Sequence, residues 1–478
     1  LPVQVTSLIL ENRTDTGRST PNSKGIEMRL CKSVLASSAL VILSSFTATS
    51  AAHAMGHGPA LAIQHFNPKS TTVWLRITSS NLPAKENLVV LGQFEMGAGR
   101  QIQVLSKRPL KSDGALIELP WPAGTALAFV EGQAPVDGRL VAGLRNRGMY
   151  LMSSSETTRL QREATNFVWP VALEDATMLE SNTLERPNQP LPPAWQPRAV
   201  TKAEAVQPDL GRMMQMLETL TGDRSFMLEG KETRITERGG NENRSLTQQY
   251  VMQTMSDLGI ETKLVPYTLS GYKGANVEGT LWGADRSKFV VISGHMDSVR
   301  NKGADDDGSG TVGMLEAAHL LSKLPTLPVS IRFVGFDQEE LGLIGSRAYA
   351  NQLSKDEIVL GVVQADMIAY DGNNDFAYHT MDCDRADSKP ITRVVEELNI
   401  NLDLKLKKVA ACTNRSDHAS FWNKNIPATI ISENFFGNDA NPCYHKQCDL
   451  MNIVNKEYML RLTTLQVNTA LSLALSVK

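Results

Sequence analysis

Between about positions 57 and 155 the chain alternates apolar and polar residues in short runs: TVWLRI at 72–77, LVVL at 88–91, QIQVL at 101–105 and LVAGL at 140–144. Gly, Pro, Asn and Asp punctuate them. Side chains on a strand point alternately to opposite faces, so this pattern predicts half-buried strands. Together they predict a small all-β domain, a sandwich, with no catalytic constellation of its own. Residues 156–186 read as partly helical. The stretch RPNQPLPPAWQP at 186–197 is Pro-rich and reads as an extended linker.

Beyond it the period changes. Met213, Met214, Met216, Leu217 and Leu220 fall on one side of a predicted helix that begins near Asp209. Tyr250, Val251, Met255 and Leu258 mark a second helix over 245–258, after a turn at 239–243. Strands are expected at 262–266 and 276–281. Alternation of strand and helix continues to a last helix over 456–475. That rhythm predicts an α/β fold, a mostly parallel central sheet with helices on both faces.

The chemistry gathers where apolar strands end. The run FVVI at 289–292 leads into His295-Met296-Asp297, and period-2 geometry puts His295 and Asp297 on the same side. A polar loop then brings Asp305, Asp306 and Asp307, followed by Gly308-Ser309-Gly310 and an apolar helical pattern. Asp337-Gln338-Glu339-Glu340 closes the strand at 329–336, and Gln364-Ala365-Asp366 closes the one at 358–363. Tyr444-His445 comes last. Ligands of open α/β sheets bind at the carboxyl ends of strands. A bare triplet of aspartates is commonly a solvated loop. Two histidines and several carboxylates able to meet at one sheet edge are instead the N/O donor set that suits zinc.

Composition narrows the picture further. The 478 residues suffice for two domains, and a net charge of −3 gives no reason to expect nucleic acid or an anionic membrane as partner. GxSxG, HExxH and P-loop motifs are missing. A basic start at 28–32, an apolar run over 33–46 and Ala52-His53-Ala54 read as a secretory signal over 28–54. Residues 1–27 read as a non-native or disordered extension. The expected organisation is therefore a β-rich domain at 55–185, acting as a pro-domain or a passive accessory, a linker at 186–205 and a catalytic domain at 206–478. Of five cysteines, Cys383, Cys412, Cys443 and Cys448 lie beyond the signal. An even number in an exported chain suggests disulfides, with three connectivities open. Zinc ligation by cysteine is the rival reading.

The ordered pieces HxD, DDDGSG, EE, DM, SDHASF and CYH resemble the M28 zinc metallopeptidases, in particular secreted bacterial leucyl aminopeptidases of Vibrio and Streptomyces type. The resemblance spans about 206–478. It implies two zinc ions per chain, one held by His295 and Asp366, the other by Glu340 and His445, with Asp306 bridging both. It implies a cis peptide at Asp306–Asp307. Glu339 becomes the general base toward a metal-bridged hydroxide. Asp297 accepts a hydrogen bond from the His295 imidazole. For Asp449 two readings stand open, the same service to His445 or a plain loop carboxylate. Arg415 and Tyr444 contact substrate and the developing oxyanion. From the residues themselves, Ser416 suits a helix N-cap, and Met367, Phe435 and Phe436 are candidates for an apolar pocket or, equally, for plain core packing. A Cys443–Cys448 disulfide is implied, leaving Cys383 to Cys412. The expected protein is a monomeric, secreted or periplasmic aminopeptidase acting on peptides, without a membrane anchor once the signal is removed. Carboxypeptidase or glutaminyl cyclase chemistry, or a non-catalytic binding protein on the same scaffold, are the alternatives.

Overall fold

A computed structural model describes residues 71–78, 90–95, 101–105, 115–121, 125–161, 167–171, 196–269 and 272–477. The expected extension at 1–27, the signal at 28–54 and the first half of the linker, 186–195, lie outside the described residues. All described residues belong to one unit, 59–478.

The alternating N-terminal pattern becomes eight strands: β1 (Thr71–Thr78), β2 (Val90–Glu95), β3 (Gln101–Leu105), β4 (Ala115–Trp121), β5 (Thr125–Glu131), β6 (Arg139–Leu144), β7 (Arg147–Ser153) and β8 (Phe167–Val171). They form two four-stranded antiparallel sheets, ordered β2-β3-β1-β4 and β6-β7-β5-β8. Val73, Leu75, Ile102 and Val104 from the first sheet and Leu127, Phe129, Met149 and Leu151 from the second enter one apolar cluster. The stretch read as partly helical opens, among the described residues, with a short helix, α1 (Ser154–Gln161), and then adds the strand β8, which the sequence reading did not anticipate. Pro170 within β8 obscured it, and the strand tolerates proline because it sits at a sheet edge.

The helices α2 (Leu210–Leu220) and α3 (Asn241–Ser256) flank a two-stranded ribbon of β9 (Phe226–Leu228) and β10 (Lys231–Thr233). Asp209 caps α2 by accepting the Arg212 N–H. The second helix starts at Asn241, four residues before the apolar pattern suggested. Its first turn is polar and gives no periodic signal.

Eight strands then build the large sheet, in the order β11-β12-β14-β13-β15-β18-β16-β17. These are β11 (Glu261–Leu269), β12 (Tyr272–Leu281), β13 (Asp285–His295), β14 (Val329–Phe336), β15 (Ile358–Ala365), β16 (Ala377–Met381), β17 (Lys407–Lys408) and β18 (Ala428–Glu433). The four central strands, β14, β13, β15 and β18, run parallel. Antiparallel pairings occur only toward the edges, at β11–β12, β12–β14 and β16–β18. The central strands are buried on both faces, which is why they read as unbroken apolar runs. On one side pack α4 (Gly308–Leu321) and α8 (Lys456–Leu475), in the cluster that also holds α2, α3 and α6 (Lys389–Asn401). On the other lie α5 (Ile344–Gln352) and α7 (His418–Trp422). That second cluster is the one the N-terminal sheets enter, so one apolar mass joins the β-rich part to the large sheet.

Candidate active site

From β13 the chain moves to β14 on one side and to β15 on the other. Strand order reverses there, and the three carboxyl ends open a crevice. His295 pairs with Phe336, and Asp366 lies two residues past the Ser293–Gln364 pair. His295, Asp366 and the acidic segment after β14 are thus level. The end of β13 is pinned by its own loop: Asp307 accepts the His295 N–H at 2.9 Å, and Thr311 donates to the His295 carbonyl at 2.7 Å.

The loop from 305 to 310 folds tightly against this edge. Asp307 caps α4 by accepting the Gly310 N–H at 2.8 Å. A side chain on Gly310 would meet the Ala365 carbonyl at 2.4 Å and the Asp307 carboxylate at the same distance, so only glycine fits where helix and strand end meet. The peptide between Asp306 and Asp307 is cis. Arg238, fully buried, donates to the carbonyls of Met296 (2.9 Å), Gly303 (2.8 Å), Asp306 (3.3 Å) and Lys302. Asp449 accepts the N–H groups of Asp305 and Asp306 at 2.9 and 3.0 Å. It therefore braces the loop, the loop-carboxylate role being one of the two the sequence left open.

Two groups of donors face each other across Asp306. His295 Nε2 lies 3.3 Å from Asp306 Oδ1, 3.6 Å from Asp366 and 3.9 Å from Glu339. His445 Nε2 lies 3.3 Å from Asp306 Oδ2 and 2.9 Å from Glu340. Each group, His295–Asp306–Asp366 and Asp306–Glu340–His445, has ligand atoms within 4.8 Å of one another. Asp306 Oδ2 and Glu340 Oε1 are buried without a hydrogen-bond partner. Buried carboxylate oxygens with free lone pairs are costly unless a cation takes them. The donor set therefore fits metal binding, and His with Asp and Glu is chemistry that zinc accepts. Burial opposes ionisation of Asp306, but His295 and His445 outweigh it and hold the carboxyl low. Burial pushes Glu339 well above the ordinary glutamate range, with His295 pulling the other way.

Asp297 reaches two neighbours. It lies 3.6 Å from His295 Nδ1, and it accepts the N–H groups of Glu339 (2.9 Å) and Glu340 (3.2 Å). The turn before them runs through Gln338, at φ 59°, which takes a hydrogen bond from Tyr267. Ser416 departs from expectation. It does not cap α7; it donates to Asp366 and accepts from Gln364 at 2.6 Å, orienting a candidate ligand.

At the rim, Tyr444 stacks on the His445 ring at 3.8 Å. Arg415 donates to the Tyr444 hydroxyl at 3.3 Å and lies about 6 Å over Phe435 and Phe436. Phe435 meets Tyr444 edge-on at 4.9 Å, and Phe436 is 44 % exposed. Met367 is buried, at φ 52°, with its N–H on Asp307. Cys443 is bonded to Cys448 and Cys383 to Cys412. Every residue named from the sequence for metal, base and rim thus gathers at this edge. Arg238 was missed; a lone arginine before Gly239-Gly240 carries no pattern.

Comparison with known proteins fits this geometry. Residues 276–470 match peptidase family M28. Leupeptin-inactivating enzyme 1 of Streptomyces exfoliatus is 29% identical over 225 residues, 43% of this chain and 50% of that protein. Leucine aminopeptidase 1 of Phaeosphaeria nodorum is 27% identical over 343 residues, 66% of this chain and 83% of that protein. The chain thus spans only half the length of the Streptomyces relative. Among solved structures, the LapA aminopeptidase of Legionella pneumophila superposes with a TM-score of 0.58 at 21% identity, covering 74% of this chain and 99% of that one. The α/β fold is shared with that structure. Over residues 276–470, then, the chain is similar to peptidase family M28.

Proposed function

We propose that this protein is a two-zinc aminopeptidase that removes N-terminal, preferably apolar, residues from peptides. The observation that carries the reading is Asp306, whose two oxygens each face a different histidine at 3.3 Å. A carboxylate so placed is shared between two donor sets. His295 and Asp366 would hold one ion, Glu340 and His445 the other, and Asp306 both. Bound zinc supplies Lewis acidity toward the scissile carbonyl and lowers the pKa of water.

The chain's own groups do the rest. Glu339, beside His295 and buried, is placed to take a proton from the attacking water and return it to the leaving amine. Tyr444 and Arg415 are donors at the rim, suited to stabilising charge that develops on the carbonyl oxygen. Phe435, Phe436 and Met367 supply apolar surface beside them. Names of relatives that include leucine aminopeptidase agree with an apolar preference. Export is supported by two disulfides and by the signal-like segment at 28–54. Among the described residues no helix is long and apolar enough to cross a membrane.

The test is hydrolysis of leucine p-nitroanilide beside its N-acetylated form. Cleavage of the free amine alone, lost with chelator and restored by zinc, is expected. Turnover of the acetylated form, or indifference to chelator, would sink the reading.

A further inference from the structure

The strand β5 ends at Glu131, in the N-terminal β-rich part. Its carboxylate does not stay within that part. Glu131 Oε1 lies 3.8 Å from Arg415 Nη1, and Glu131 Oε2 lies 3.5 Å from Arg147 Nε on β7. Arg415 in turn donates to Tyr444, and Tyr444 stacks on His445. A line of contacts therefore runs from the second small sheet to a candidate metal ligand.

The placement of Glu131 does not depend on one flexible side chain. A second tie joins the same sheet to the large one: Arg347 on α5 donates to the Pro170 carbonyl on β8 at 3.1 Å. Strand β8 pairs with β5 along its length, from Leu127–Val171 to Glu131–Phe167. The apolar cluster shared by both parts closes the seam. Arg415 is mostly buried, with 17 % of its side chain exposed, and Glu131 is a quarter exposed. A long guanidinium in such a place has several rotamers open to it. An anion on the far side selects the one that points the other nitrogen at Tyr444.

We infer that Glu131 is a positioning residue of the active site, holding Arg415 against the Tyr444 hydroxyl from the N-terminal β-rich part. The β-rich part is then a wall of the working site. This rests on the aminopeptidase reading above. An inhibitory pro-domain contact would have the opposite sign, because breaking it would raise turnover.

The experiment is a double-mutant cycle on the zinc-loaded full chain, with leucine p-nitroanilide. The variants are Glu131→Gln, Arg415→Lys and the pair, with Glu131→Asp as the conservative control. Glu131→Gln is expected to lower kcat about 3–10-fold while KM stays within about twofold, since misorientation of a donor acts on the transition state. The double variant should be no slower than Arg415→Lys alone, because both changes break one unit. Glu131→Asp should recover part of the loss. Zinc content and thermal midpoint should match the wild type, which a merely structural role would not allow alongside a fall in kcat. Unchanged kcat in Glu131→Gln, losses that multiply in the double variant, or a rise in kcat would each overturn the inference. A wild-type chain without turnover would remove both this and the aminopeptidase reading; any of the other outcomes with an active wild type removes this one alone.

Discussion

Three adjacent aspartates do three different jobs. Asp307 is structural: it caps α4 and also takes the N–H groups of His295 and Met367, so it fastens three segments together. Asp305 accepts from the Ala369 N–H at 2.8 Å and from Asn441 at 2.7 Å, tying the loop to the segment that carries His445. Only Asp306 turns both oxygens toward histidines. The same division of labour holds for Glu339 and Glu340, which face different histidines. Replacing Glu339 by Gln keeps the shape and removes the base. Turnover should fall by about 10²–10⁴-fold with zinc content unchanged, measured by steady-state kinetics and metal analysis. Arg238 is a different case. It is a buried cation whose guanidinium satisfies four carbonyls around the loop. Arg238→Met would leave those carbonyls unpaired and remove a charge that offsets Asp306, Asp307 and Asp449. A loss of about 3–5 kcal/mol is expected in denaturant unfolding of the metal-free protein. The sequence showed the donors because each follows an apolar strand or a turn. It hid Arg238 and the true partner of Asp449, because hydrogen bonds to backbone leave no mark on residue spacing.

At the scale of elements, the parallel strands β13, β14 and β15 do the positioning. Their ends were legible, since apolar runs stop where polar residues begin. The edges were less so. The hairpin of β11 and β12 pairs antiparallel, and β8 was obscured by its proline. His445 comes from no regular element. It sits at φ 57°, inside the loop closed by Cys443 and Cys448. A disulfide closing so short a loop is worth about 2 kcal/mol by its effect on the unfolded chain. Its local effect is the greater one, because it limits where His445 and Tyr444 can go. Replacing both cysteines by serine should leave the large sheet intact. On the two-zinc proposal, the ion assigned to Glu340 and His445 should then be stripped by chelator before the other, read as a biphasic loss of metal in which the wild type shows one phase.

For the whole molecule, alternation of strand and helix was enough to place a mostly parallel sheet after residue 206. How the β-rich part meets that sheet was not legible. A contact such as Arg347 to Pro170, or Glu131 to Arg415, joins positions with no shared motif and a long chain between them. Burial in a shared apolar cluster is likewise a property of the folded surface.

The donors are scattered in a way that has its own meaning. His295 and His445 meet at Asp306, though 150 positions of chain separate the first from the second. Contacts so distant in sequence form late, after the sheet has closed. A chain still being synthesised holds His295, the aspartates and Glu339 for many seconds before His445 exists. In that state it lacks part of the proposed donor set, and so does a truncated chain that ends before His445. A chain ending at residue 440 should show no aminopeptidase activity even with zinc in excess, and adding back a peptide that spans 441–478 should restore it only where the helix α8 can dock.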